Sequence, residues 1–223
     1  MDRLSPHIFQ AASGAVVAVQ KPLGWTSFDV VNKIRALSGV KKVGHTGTLD
    51  PLATGLLLIC TGAKTKTVSH YQDLEKVYCG ELVLGKTTPS IDLETDFDTE
   101  SSYDGVTPPA LHAVAASLVG WIDQVPPAYS AVKARGVRAY AQARHGQAVT
   151  LAPRQVWVKS FSITSIDMPT IGFAITCGKG TYIRSLVRDL GAQLGTGAYL
   201  ASLCRTRIGH YTLQDAYVIQ RAQ

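Results

Sequence analysis

The chain has 223 residues, 46% hydrophobic and 17% charged, with a formal net charge of +6; that is enough to bury one good core and too short for two large domains. No apolar run approaches the roughly 20 residues needed to cross a bilayer. Met1–Ser13, with Asp2, Arg3 and Pro6, has no apolar stretch of the kind a signal peptide requires, so a cytoplasmic protein is expected.

Val16–Val19 reads as a strand ending at the turn Lys21-Pro22-Leu23-Gly24. Ser27 is placed to cap a helix whose apolar positions Val30, Val31, Ile34 and Leu37 follow helical spacing, with Gly39 closing it. A glycine-rich loop, Gly44–Gly55, leads into the apolar run Leu56–Cys60, and Lys76–Leu84 predicts another strand. Thr107-Pro108 opens a helix in the favoured cap-then-proline order, with Leu111, Val114 and Leu118 on one side. A further helix is predicted over Val137–Arg144, strands near Val156–Ile166 and Gly172–Cys177, and a helix from Thr181 to about Leu194 with Ile183, Leu186, Val187 and Leu190 inward. Strands and helices mix without regular βαβ alternation, which predicts a single α+β domain over residues 1–223.

Charge is unevenly spread. Ser90–Gly105 holds six acids (Asp92, Glu94, Asp96, Asp98, Glu100, Asp104) and no base, leaving 22 basic against 10 acidic residues elsewhere. From Gln124 to Ile166 there is no acid at all, but there are Lys133, Arg135, Arg138, Arg144, Arg154 and Lys159. A one-signed stretch of this kind suits a polyanion. Cys60, Cys79, Cys177 and Cys204 lie far apart, with no C-x-x-C and no His at ligand spacing, which predicts reduced thiols and no zinc site.

Gly80-Glu-Leu-Val-Leu-Gly85-Lys86-Thr87 matches the phosphate-loop pattern G-x-x-x-x-G-K-[ST]. A working phosphate loop needs a flexible turn around the anion and a helix starting at the lysine. Here the intervening residues favour a strand and Pro89 holds Thr88 extended, so no ATP or GTP site is expected.

The informative stretch is Gly44-His45-Thr46-Gly47-Thr48-Leu49-Asp50-Pro51-Leu52-Ala53-Thr54-Gly55. Its glycines permit tight turns and close approach of another molecule, and Pro51 keeps Asp50 extended and out of any helix. Local chemistry alone leaves two readings open: a carboxylate presented into a cleft, or a structural one satisfying loop amides.

This loop, preceded by Lys21-Pro22-Leu23-Gly24-Trp25-Thr26-Ser27, closely resembles the signature of the TruB family, bacterial synthases that make pseudouridine-55 in the T loop of tRNA. The resemblance continues at Lys76-Val77-Tyr78, at Pro126–Lys133, at Gly178-Lys179-Gly180-Thr181-Tyr182-Ile183-Arg184 and at Leu200–Gly209, in the family's order, over roughly Gly14 to Ile219. It implies a mixed, largely antiparallel sheet flanked by helices, and a tRNA-modifying isomerase working without metal, nucleotide cofactor, membrane or guide RNA. Residue by residue, it makes Asp50 the catalytic nucleophile, Tyr78 the tyrosine packed on the target base and Arg184 the arginine paired with the catalytic carboxylate. His45, Tyr182 and Leu203 match further substrate-contacting positions, and Lys21, Lys133 and Arg135 join them as expected RNA contacts. The basic stretch near residues 124–155 overlaps the insertion with which the family grips the T arm. Many relatives continue into a small C-terminal RNA-binding domain, which is not expected in a chain ending at Gln223.

The implied chemistry suits these residue types. Breaking the bond from ribose C1′ to base N1 and rejoining the base through C5 needs no redox change and no external group. An ionised carboxylate can attack C6 or C1′, or remove the C2′ proton. A neighbouring arginine keeps such a carboxylate charged when partly desolvated. Extruding the uridine costs a few kcal/mol, which a stacked aromatic ring offsets by about 1–3 kcal/mol. The alternative from another class is an RNA-binding or tRNA-folding helper whose chemistry is secondary, motivated by the basic stretch.

Overall fold

A computed structural model describes residues 13–134 and 136–219, which divide into two compact units. One takes in the chain up to Tyr78 together with everything from Leu203 onward, and the other is Cys79–Ser202. In chain order the elements begin with β1 (Val16–Lys21), α1 (Ser27–Ser38), β2 (Val43–His45), β3 (Ala53–Thr61), α2 (Val68–Asp73), β4 (Lys76–Leu84), β5 (Lys86–Thr87) and β6 (Thr99–Glu100). They continue with α3 (Pro108–Ser117), β7 (Gly120–Gln124), β8 (Lys133–Ala134), β9 (Val137–Arg138), α4 (Ala139–Arg144), β10 (Arg154–Asp167) and β11 (Thr170–Cys177). The last are α5 (Ile183–Gln193), β12 (Ala198–Ile208), β13 (Tyr211–Thr212) and β14 (Tyr217–Val218). The fold is α+β with a mostly antiparallel sheet, as the sequence implies; β1–β14 and β3–β12 are parallel pairs.

In the first unit the strand order is β14-β1-β3-β12-β4, with β2 on β3 and β13 on β12. Leu57 and Ile59 of β3 pack with Val17 and Val19 of β1 and with Val30, Val31 and Ile34 of α1. Those helix positions follow the predicted stripe. Gly39 closes α1 in the left-handed region (φ 70) and donates its amide to the Arg35 carbonyl. The N-cap differs: Thr26 holds it, in a reciprocal box with Asp29, because the Ser27 hydroxyl is buried and committed to Leu49. β3 also starts earlier than the apolar run predicts and absorbs Ala53–Gly55, which shortens the loop. Gly55 (φ 104) is required there, since a Cβ would lie 2.3 Å from the Arg205 carbonyl oxygen on the parallel neighbour.

In the second unit the order is β12-β4-β11-β10-β7, the unit boundary falling within β4 and β12. β4 runs from Lys76 to Leu84 as predicted, and the phosphate-loop look-alike lies along it and into β5, with no helix at Lys86. The Thr107 hydroxyl caps α3, whose buried residues are Leu111 and Ala115. α4 begins two residues later than predicted, because Val137 and Arg138 first pair with Ala134 and Lys133. In α5, Ile183, Leu186, Val187 and Leu190 are all buried. Among the described residues, no helix is long and apolar enough to cross a membrane.

Candidate active site

The loop carrying Asp50 is pinned on both sides by backbone and by one hydroxyl. Ser27 accepts the Leu49 amide (2.8 Å) and donates to the Leu49 carbonyl (3.3 Å). The Ala53 amide donates to the Asp50 carbonyl (3.0 Å), and the Gly24 amide to that of Pro51 (2.9 Å). These anchors leave the Asp50 side chain half-buried, between buried Leu49 and exposed Leu52.

Lys21, at the end of β1, has no exposed surface. Its Nζ donates to the carbonyls of Pro22 (3.1 Å), Trp25 (2.5 Å) and Pro51 (3.3 Å), so it ties the turn after β1 to the residue after Asp50. Burial pushes its pKa down to about 8; the charges of Asp50 and Asp29 oppose that, and Arg205 adds to it. The unfolded chain therefore holds this proton to about pH 10.5, while the folded chain releases it near pH 8. Lys21 costs stability below that range, and the cost is relieved as pH climbs through it, by at most about 1.4 kcal/mol per pH unit. Urea titrations of wild type and Lys21→Met from pH 7 to 10 are expected to show the difference moving in favour of wild type as pH rises. A difference that stays flat would mean the lysine titrates alike in both states.

Arg205 is another buried cation of this unit, 1% exposed. Its Nε donates to the Leu56 carbonyl (2.7 Å) and Nη2 to that of Gly47 (3.2 Å). Its guanidinium carbon lies 6.0 Å from the centroid of Tyr78, within cation–π range. One side chain thus braces the start of the Asp50 loop, the strand that follows it and the predicted base-stacking ring. Tyr78 is 9% exposed and Leu203 8%, and Leu203 sits in parallel register with Ala53. His45 Nδ1 accepts the Gly47 amide (3.3 Å). Burial and the Arg205 charge lower its pKa, so at neutral pH it is an uncharged ring with its proton on Nε2, free to donate. Arg205 thus acts on Tyr78, Lys21 and His45, Asp50 acts on Lys21, and all of these lie with Leu203 in the first unit.

The second unit holds Arg184 and Tyr182. Arg184, 3% exposed, donates to the carbonyls of Ser90 (2.9 Å) and Tyr129 (2.8 Å) and lies 3.7 Å from an Asp92 carboxylate oxygen. Asp92 is itself 4% exposed and accepts the Glu94 amide. The preceding residue, Ile91, is the one non-glycine at positive φ (65°) among the described residues; left-handed backbone at a branched residue is strained, and here it carries Ser90 and Asp92 to the guanidinium. Tyr182, half-buried, is held through its backbone: Gln124 accepts its amide (2.8 Å) and donates to its carbonyl (3.1 Å), fixing the start of α5 to β7. Lys133 is exposed on β8, and Arg135 lies outside the described residues.

Arg205, Asp92 and Gln124 do not stand out in the sequence. Arg205 falls in the Leu200–Gly209 block without a visible role, and Asp92 is one acid in a run of six. The local hint for Asp92 is its apolar neighbours, Ile91 and Leu93.

The sequence model described as the TruB family pseudouridylate synthase N-terminal domain matches residues 35–183. The tRNA pseudouridine synthase B of Flavobacterium johnsoniae is 45% identical over 210 residues, covering 91% of this chain and 92% of that protein. That of Thermobifida fusca is 46% identical over 209 residues, covering 90% and 71%. Among solved structures, a chain of a Cbf5-Nop10-Gar1 complex matches with a TM-score of 0.71 and 27% identity over 97% of this chain. A chain of an H/ACA RNP bound to a substrate RNA containing 2′-deoxyuridine gives 0.69 and 25%, again over 97%. The present chain spans about half the length of those two chains, 55% and 53%.

Proposed function

The chain belongs to the TruB family of pseudouridylate synthases, isomerases of uridine in RNA, and from that premise we propose that it converts the T-loop uridine at position 55 of tRNA to pseudouridine with Asp50 as nucleophile. The observation that carries the reading is the Asp50 loop itself. A half-buried carboxylate sits on a segment anchored by Ser27, Lys21 and Arg205, in a unit that also holds Tyr78.

In the proposed reaction the uridine leaves its stack and packs against Tyr78, and the carboxylate opens the path to cleavage of the C1′–N1 bond. The base turns, C5 bonds to C1′, and the C5 proton passes to solvent while N1 takes one up. The product is an isomer of the substrate. The neutral His45 offers an N–H to the RNA, and Leu203 shapes the wall beside Ala53. Arg184, held by Ser90, Tyr129 and Asp92, is proposed as the fixed positive charge that the reaction draws on. The acid-free stretch near residues 124–155, with Lys133 and Arg135, is proposed to grip the T arm by phosphate contacts, in the cytoplasm.

The proposal is tested by incubating the purified protein with a T-arm stem-loop carrying 5-tritiated uridine, with no guide RNA added. Stoichiometric tritium release and a single pseudouridine at the T-loop position are expected. Binding without tritium release would instead favour the RNA-folding reading, and release only with added guide RNA would assign a guide-dependent enzyme.

A further inference from the structure

Trp121 and Trp157 stand directly opposite each other in the antiparallel pair of β7 and β10, with ring centroids 5.5 Å apart. They are 67% and 40% exposed, although strand alternation offered the opposite face, where Val156 and Val158 are buried. The chain exposes other large apolar side chains, among them Leu23, Phe28 and Phe97, but here two aromatic rings stand side by side, and contiguous apolar patches mark contact surfaces.

The platform is rigidly placed. The Gly178 amide donates to the Trp157 carbonyl (2.8 Å), which seats the Gly178–Tyr182 loop beside the pair. Gln124, at the end of β7, clamps the Tyr182 backbone two residues before Arg184. The charge on the same strands points to the partner: Arg154 and Lys159 share β10 with Trp157, and Asp123 lies on β7. The stretch from Gln124 to Ile166 has six bases and no acid; one of those bases, Arg144, is paired with Glu94. Exposed aromatic faces on a strand that also carries cations favour unpaired nucleic acid, since every base offers a π-face to stack on.

We propose that Trp121 and Trp157 form a stacking platform for unpaired bases of the RNA substrate, separate from the position of the reacting uridine. This rests on the RNA-isomerase reading above and adds a second aromatic contact to it.

The chain has three tryptophans, so a Trp25→Phe variant reports the pair alone by fluorescence. Titration with unmodified tRNA transcript is expected to quench that signal. Trp121→Ala and the Trp121→Ala/Trp157→Ala double variant are expected to weaken tRNA binding about fivefold or more. Stacking releases no counterions, so the slope of log K against log salt is expected to stay unchanged, whereas Lys133→Ala should flatten it. Trp121→Phe/Trp157→Phe, which keeps ring faces, is expected to recover most of the affinity, and it serves as the folded comparison if the alanine double variant is unstable. Affinity unchanged in both the single alanine variant and the phenylalanine pair, with no quench, would overturn the platform while leaving the isomerase reading intact. So would a self-association in sedimentation that the same substitutions abolish without touching RNA affinity. A wild type that neither binds nor converts tRNA would overturn both.

Discussion

Asp50→Asn is expected to remain folded, to bind tRNA within about twofold of wild type, and to lose tritium release by on the order of 10⁴-fold or more, the scale lost when an enzyme's nucleophile is removed. The near-isosteric amide leaves the loop's anchors untouched, because they are made to backbone: Ala53 to the Asp50 carbonyl, Gly24 and Lys21 to that of Pro51, Ser27 to both polar groups of Leu49. What disappears is the charge. That loss has a second readout besides turnover, since the Asp50 carboxylate supports the protonated state of Lys21. In the variant the lysine is expected to release its proton below its wild-type value of about 8, visible as an earlier titration of its ε-carbon in NMR. A shifted Lys21 with intact turnover would sink the nucleophile assignment; absent turnover with an unshifted Lys21 would mean that the loop had rearranged and the comparison says nothing specific of the charge.

The parts of this molecule that the sequence displays are those decided within a few residues. β4 has the predicted bounds, and its β-favouring residues bury Tyr78, Leu82 and Leu84 on one face. α1 stops at Gly39 because only a left-handed residue fits there, and α5 buries the four residues that helical spacing puts on one face. The glycines and the proline around Asp50 announce a constrained loop for the same local reason. The failures have a common cause in non-local pairing. Ser27 looks like a cap until its hydroxyl finds Leu49, 22 residues away. β3 takes in Gly55 because it pairs in parallel with β12, and Arg205 reaches Leu56 across 149 residues of chain. Asp92 reads as surface charge among five other acids until folding buries it against Arg184. Periodicity reports which face is covered, but not what distant strand covers it.

Arg205→Met is expected to destabilise the protein by about 2–5 kcal/mol. Methionine keeps an apolar stem of similar reach but leaves the Leu56 and Gly47 carbonyls without the donors that now satisfy them. Each buried acceptor so orphaned costs about 1–3 kcal/mol. The ring of Tyr78 also loses the cation beneath it. Arg205→Lys is expected not to rescue this, because the two carbonyls are met by two separate nitrogens of one planar group, Nε for Leu56 and Nη2 for Gly47, and lysine carries no donor at the Nε position. Urea midpoints measure the stability loss. A second observation separates a specific role from general damage: Arg205 lowers the pKa of both Lys21 and His45, so in folded Arg205→Met both groups are expected to titrate at higher pH than in wild type. Reduced turnover should accompany this, since Gly47, at the entrance to the Asp50 loop, loses its brace. Stability within about 0.5 kcal/mol of wild type, the usual range for an inconsequential surface change, would show that this buried arginine does not hold the loop in place.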